Sequence, residues 1–255
     1  MNNTPFNIIV IAMEREIDRK ALIEESLNRA GVTRFSFINA TDGKDPEALN
    51  KVEGYDKEKA LLIRGRELTP SEIACFNSHR EAWHFVSNSD LPTLILESDA
   101  CINKETIDVC KKICQQKKSE WEMVMLYYHE CVPSFWKKHK INEKYKLVKF
   151  ANKRAYISSS ILLSPKGARK LLHHADSIYL PADDFMSGGY IDKDINLFAV
   201  SPRAARLGIL SEVSNIQDER ETFSRKKKNK DSISYNAGLK LRNLIRALRR
   251  PPKGL

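Results

Sequence analysis

A chain of 255 residues, 42% of them hydrophobic, can bury a substantial core, and the length fits one large domain or two small ones. The formal charge of +10 is uneven: residues 225–255 hold eleven Lys or Arg against one Asp, while the rest balances at 32 basic and 32 acidic side chains. Any polyanion affinity therefore belongs to the tail, and no apolar run or basic-then-apolar start suggests a membrane span or a leader.

Phe6 to Met13 reads as a β-rich apolar strand, followed by a helix carrying Ile17, Leu22, Ile23 and Leu27 that Gly31 ends. Arg34 to Ala40 reads as a second strand, and Thr41-Asp42-Gly43-Lys44 as the turn after it. A β-α-β opening is the usual start of a nucleotide-binding sheet, yet there is no Gly-x-Gly-x-x-Gly and no P-loop, so phosphate has to be held by other means. Arg19 reads either as a phosphate or uracil contact or as a solvated helix charge.

Residues 44–67 are polar and irregular and predict a mobile loop or small helices at the rim. Thr69-Pro70-Ser71-Glu72 is a capping box with proline at the first helical position, which starts a helix whose stripe carries Cys75, His79, Ala82 and Val86. On that stripe, residue type alone makes His79 a packed core histidine more often than a catalytic base. The helix should end near Asn88-Ser89-Asp90.

Leu94-Ile95-Leu96-Glu97-Ser98-Asp99-Ala100 is a buried strand that runs straight into two carboxylates. Alternation along an extended backbone sends Glu97 and Asp99 to one face and Ser98 to the other. Such a pair at a strand end suits a hard divalent cation gripping a phosphate, although an acidic cap followed by a turn explains the same letters. Beyond it, Glu105 to Lys118 reads as helix, Trp121 to Tyr127 as strand, Lys137 to Lys153 as a charged excursion, Tyr156 to Leu163 as strand and Pro165 to His174 as helix. Asp183 and Asp184 either complement the positive end of a short helix or supply a carboxylate that takes a proton from a hydroxyl. Ile195 to Val200 closes the series as a late strand. Cys75, Cys101, Cys110, Cys114 and Cys131 form no Cys-x-x-Cys pair and fit a reducing, cytoplasmic compartment.

Taken in order, these motifs resemble glycosyltransferase family 25, over roughly residues 6 to 217. The block Glu72-Ile73-Ala74-Cys75-Phe76-Asn77-Ser78-His79, with Trp83 downstream, is similar to the family's Glu-x-(Gly/Ala)-Cys-x-x-Ser-His pattern followed by tryptophan. At the family's distance, Leu96-Glu97-Ser98-Asp99 resembles its Leu-Glu-Asp-Asp segment, with Ser98 in place of the middle aspartate. Asp18-Arg19, Ala40-Thr41-Asp42-Gly43 and Pro181-Ala182-Asp183 also look like family positions, whereas Ser158-Ser159-Ser160 departs from its Gly-Thr-x-Gly-Tyr pattern.

The resemblance implies an α/β fold of the GT-A type, a Rossmann-like nucleotide-sugar-binding sheet flanked by helices. It implies an inverting transfer of a hexose, most often galactose, from a UDP-hexose to a lipid-linked oligosaccharide of lipopolysaccharide or lipooligosaccharide. Arg19, Asp42, Gly43, His79, Arg80, Glu97, Ser98 and Asp99 would bind the donor. Asp99 and Glu97 would hold Mn²⁺ or Mg²⁺, and Asp183, chosen over Asp184, would be the base. Ser98→Asp is expected to be tolerated.

Residues 1–224 are expected to be the catalytic domain and 225–255 a lysine-rich linker with an amphipathic helix, since Leu241, Leu244, Ile245 and Leu248 follow i, i+3, i+4, i+7 spacing and the arginines fall elsewhere. That tail would hold the enzyme to the anionic inner face of the membrane, where each nearby Lys or Arg contributes about 1 kcal/mol. Two other classes remain open: a nucleic-acid binder acting through the tail, disfavoured by the neutral remainder, and a metal-dependent phosphohydrolase using the same carboxylates.

Overall fold

The computed structural model describes residues 4–116, 120–129, 132–150, 156–187 and 195–208. The tail expected to form a basic helix lies outside the described residues, as does Cys131. In chain order the elements are β1 (Asn7–Ala12), α1 (Ile17–Arg29), β2 (Ser36–Asn39), α2 (Pro46–Asn50), α3 (Lys57–Arg64), α4 (Pro70–Ser87), β3 (Thr93–Glu97), β4 (Ala100–Cys101) and α5 (Lys104–Gln115). There follow β5 (Met123–Met125), β6 (Pro133–Lys140), β7 (Lys146–Phe150), β8 (Ser160–Leu163), α6 (Pro165–His173), α7 (Ala182–Ser187), β9 (Leu197–Ser201) and β10 (Arg206–Leu207).

One sheet in the order β2-β1-β3-β8-β5-β9-β7-β6 carries the fold. Its first three strands are parallel, β8 runs against β3 and β5, and β7 runs against β9 and β6, so the sheet is mixed with most strands pointing one way. A two-stranded ribbon of β4 and β10 lies apart.

Strand periodicity divides the core. Ile8, Val10, Leu94 and Leu96 face the cluster that receives Ile23 and Leu27 of α1 and Ile107 and Ile113 of α5. Ile9, Ile11 and Ile95 face the other, built with α4, α6 and α7. Helices on both faces explain why these strands read as continuous apolar runs rather than alternating ones. Within the second layer, Trp83 stacks on Phe185 at 5.5 Å between ring centroids, and Phe76 meets Phe185 edge-on at 4.9 Å, which fastens α7 to α4.

Several local expectations hold. The capping box at α4 forms both of its bonds: Thr69 Oγ1 accepts from Glu72 N–H at 3.2 Å, and Glu72 Oε2 accepts from Thr69 N–H at 3.0 Å. Residues 44–67 do contain two small helices, α2 and α3. Two segments carry detail that their sequence did not indicate. The charged stretch after Lys137 is a hairpin of β6 and β7 extending the sheet, with Leu147 and Val148 of β7 buried and the lysine-rich β6 at the sheet edge, where charge discourages further pairing. Ile17 and Leu22 stay 74% and 47% exposed because α1 rests on the sheet along the Ile23–Leu27 line, and a 100° turn per residue puts the other two on its flank.

Most consequential is the end of β3. The strand stops at Glu97, and the chain turns at Ser98 and Asp99. Extended alternation therefore does not govern these two residues, and Ser98 is not sent to the opposite side.

Candidate active site

β1, β2 and β3 are parallel, so their C-terminal ends open on the same edge of the sheet, the place where open α/β sheets receive ligands. A cleft of about 170 Å³ lies there. Its walls come from the segments leaving those three strands: Met13 to Arg19, Ala40 to Lys44, and Glu97 to Asp99. One face of α4, from Ser71 to His79, closes the side. A broader polar groove continues from it past Arg15 and Asp42 toward α2.

Of the donor-binding candidates, Arg19, Asp42, Gly43, His79, Glu97, Ser98 and Asp99 all line this one cleft. Arg80 is not among the lining residues. Its guanidinium donates to Asn77 Oδ1 at 2.7 Å and to the Glu53 carbonyl at 3.2 Å, so it braces α4 against the loop before α3.

The acid segment is held by a buried polar hub. Glu97 Oε1 lies 3.1 Å from His79 Nε2 and accepts from Ser158 Oγ at 2.6 Å, and Ser158 Oγ is 3.2 Å from the same imidazole nitrogen. Burial by itself would push the Glu97 carboxyl up; its contacts with His79 and Ser158 and the charge of Arg19 outweigh that and hold it below the usual value. The side chain still keeps 28% of its surface open. Asp99 is driven the other way. Burial first, then the charge of Glu97, with Arg19 opposing and Glu16 adding, pushes its carboxyl up to about 7. Asp99 Oδ1 is buried and has no hydrogen-bond partner.

That orphaned oxygen beside a second carboxylate is the donor chemistry a hard cation takes. Among the described residues no three His, Cys, Asp or Glu side chains converge to hold a metal by themselves. A cation bound there together with phosphate would take its remaining oxygens from the ligand and from water.

The second wall is the loop after β2. Thr41 N–H donates to Ser78 Oγ at 2.9 Å, and Asn77 Nδ2 donates to Thr41 Oγ1 at 2.9 Å, which pins the loop to α4. Gly43 passes so close to the start of α4 that a Cβ there would stand 2.5 Å from Ser71 Cα. Only glycine allows that approach, so any side chain at 43 would push the loop off the helix and reshape the cleft. Asp42 is paired with Arg15; that hydrogen bond, against a smaller opposing effect of burial, keeps its carboxyl below the usual range.

Asp183 and Asp184 part company. Asp184 is 1% exposed and forms an ion pair with Arg64 at 2.8 Å. Asp183 is half-buried at the head of α7, its Oδ1 accepting from Asp184 N–H at 2.9 Å and its Oδ2 facing Ile157 N–H at 3.4 Å. Ile157 has φ of 73°, a conformation that costs a β-branched residue energy, and it leads directly into the Ser158 that grips Glu97.

Sequence reasoning missed Glu16, Arg15, Ser78 and Ser158 as site residues. Ser158 falls where the chain departs from the expected pattern, and Glu16 is one charge among several in a charged run; neither carries a periodic signal that separates it from its neighbours.

Among the described residues no helix is long and apolar enough to cross a membrane. No curated protein matches the chain. The family described as glycosyltransferase family 25 (LPS biosynthesis protein) matches residues 6–186, which span β1, β2 and β3, both walls of the cleft and all but the last residue of α7. With that match and this cleft, the chain belongs to glycosyltransferase family 25.

Proposed function

We propose that the protein is an inverting hexosyltransferase that moves a sugar, galactose by preference, from a UDP-hexose to a glycan acceptor of lipopolysaccharide or lipooligosaccharide. The observation that carries this reading is the convergence of the ends of β1, β2 and β3 on one cleft, with Glu97 and Asp99 at its base and Arg19 on its wall.

Asp99, with its orphaned Oδ1, and Glu97 would hold Mn²⁺ or Mg²⁺; the cation would neutralise charge on the departing diphosphate. Arg19 supplies positive charge on the same wall. In the transfer, the acceptor oxygen forms a bond to the anomeric carbon from the side opposite the diphosphate. The bond from that carbon to the phosphate oxygen breaks, its electron pair leaves with UDP, and Asp183 takes the hydroxyl proton. Asp183 is favoured over Asp184 because it is half-open, whereas Asp184 is committed to Arg64.

Incubating the protein with a panel of UDP-sugars, Mn²⁺ and truncated lipooligosaccharide tests the reading. Acceptor-dependent UDP release with one hexose donor is the expected result. Phosphate release from the UDP-sugar without any glycosylated product would make it a phosphohydrolase instead.

The tail, residues 225–255, is proposed to hold the enzyme to an anionic lipid surface. Truncation after Phe223 should leave activity on a soluble acceptor intact and abolish co-sedimentation with anionic vesicles at low salt; unchanged co-sedimentation would remove the tail from this role.

A further inference from the structure

We propose that positions 16 and 98 share a single negative charge in this cleft, that this chain carries it on Glu16, and that Glu16 thereby positions Arg19 toward the diphosphate. The inference rests on reading the cleft as a nucleoside-diphosphate site.

Glu16 stands at the head of α1, yet its side chain makes no capping bond to that helix. Its carboxylate turns to other work. Oε2 accepts from Met13 N–H at 3.0 Å and from Ser98 Oγ at 2.9 Å, and Oε1 pairs with Arg19 Nη1 at 3.2 Å. The two charged side chains are only 10% and 20% exposed, and both line the cleft with Glu97 and Asp99. One carboxylate thus joins the end of β1, the turn after β3 and an arginine of α1.

Ser98 is bound into this arrangement from a distance of 82 residues along the chain. It is buried, and its backbone N–H is fixed on the Ile11 carbonyl at 3.0 Å, so it cannot easily move away. Its hydroxyl is a donor to Glu16. A carboxylate at 98 has no proton to give and would meet a second carboxylate at hydrogen-bond distance in a poorly solvated place, where like charges repel strongly. An ionised carboxylate at position 98 is therefore costly while position 16 carries its own charge. The resemblance to Leu-Glu-Asp-Asp implies that Ser98→Asp is tolerated; the contact between Ser98 and Glu16 leads to the opposite expectation.

Placing the charge at 16 rather than 98 has a consequence for binding. Arg19 lies three residues further along α1, on the same face, and the pair holds its guanidinium at the cleft wall. Glu16 touches no substrate atom in this reading and is a positioning residue.

A double-mutant cycle tests this on the full-length chain, with Ser98→Asp, Glu16→Gln, the double variant, and Ser98→Asn as a neutral control of similar size. Two quantities are read: the thermal midpoint of the ligand-free protein, and UDP affinity in the presence of Mn²⁺ by calorimetry. Ser98→Asp alone should lower the midpoint by about 5 °C and weaken UDP about tenfold, whereas Ser98→Asn should do far less. Glu16→Gln alone should weaken UDP about tenfold with little change in midpoint. The double variant should recover both, to within about threefold of the wild-type UDP affinity. Additive losses in the double variant, or equal losses in Ser98→Asn and Ser98→Asp, would overturn the shared charge. A wild-type protein that binds no UDP would sink the nucleotide reading instead, and the midpoints would still decide whether 16 and 98 are coupled.

Discussion

Asp99→Asn should lower sugar transfer by about 100- to 1000-fold, the scale of losing one preorganised charge-stabilising group, while the protein remains folded. The substitution keeps the volume of a side chain whose Oδ1 already lacks a partner, so little packing is at stake. Its stability signature is more distinctive than its activity. Burial and the neighbouring charge of Glu97 raise the Asp99 carboxyl to about 7, against an ordinary value of 3.8, so ionising it costs the folded state and not the unfolded chain. Cation-free wild-type protein is therefore destabilised progressively as pH rises from about 4 through 7. Asp99→Asn removes that ionisation. In chelator, its unfolding midpoint should match wild type near pH 4 and exceed it above pH 7, with added Mn²⁺ restoring the wild type. Parallel midpoint curves in chelator would refute the raised carboxyl, and normal turnover of the purified variant would remove Asp99 from the cation site.

The second large effect separates two adjacent aspartates. Asp184→Asn leaves the Arg64 guanidinium without its buried counter-charge, at a cost of about 3–5 kcal/mol, and the thermal midpoint should fall by about 10 °C. Turnover per folded molecule should be nearly preserved. Asp183→Asn should do the reverse. Its loss of helix-end charge costs about 1 kcal/mol or less, whereas removing the proposed general base should lower turnover by about 100-fold or more with donor affinity unchanged. Measuring midpoints and single-turnover rates for both variants decides the matter: a stable Asp184→Asn protein with collapsed turnover would transfer the role of base to Asp184.

The contrast between these aspartates shows what kind of information each level holds. The sequence by itself determined the β-α-β opening, the capped start of α4 and the buried strand that ends in acid, because periodicity, caps and apolar runs are local properties written over a few consecutive residues. It also carried the family, through the order of motifs along the chain. Between residues 44 and 67 the polar letters left a loop and small helices both open, and the structure has two small helices there, whereas the hairpin of β6 and β7 was hidden by its charge, which an edge strand needs and which reads as solvation.

What only the tertiary structure decided are the pairings between residues far apart in the chain. Adjacent letters Asp183 and Asp184 are indistinguishable until α3 brings Arg64 to one of them. The Ser98 hydroxyl reads as a missing carboxylate until the turn after β3 sets it against Glu16, and Ser158 reads as a departure until β8 delivers it to Glu97. Arg80, beside His79 in sequence, is carried 100° around α4 and ends on the Glu53 carbonyl, outside the cleft. Electrostatic roles of this sort depend on distance and burial, which fall off over a few ångströms in space, and no local pattern of residues encodes them.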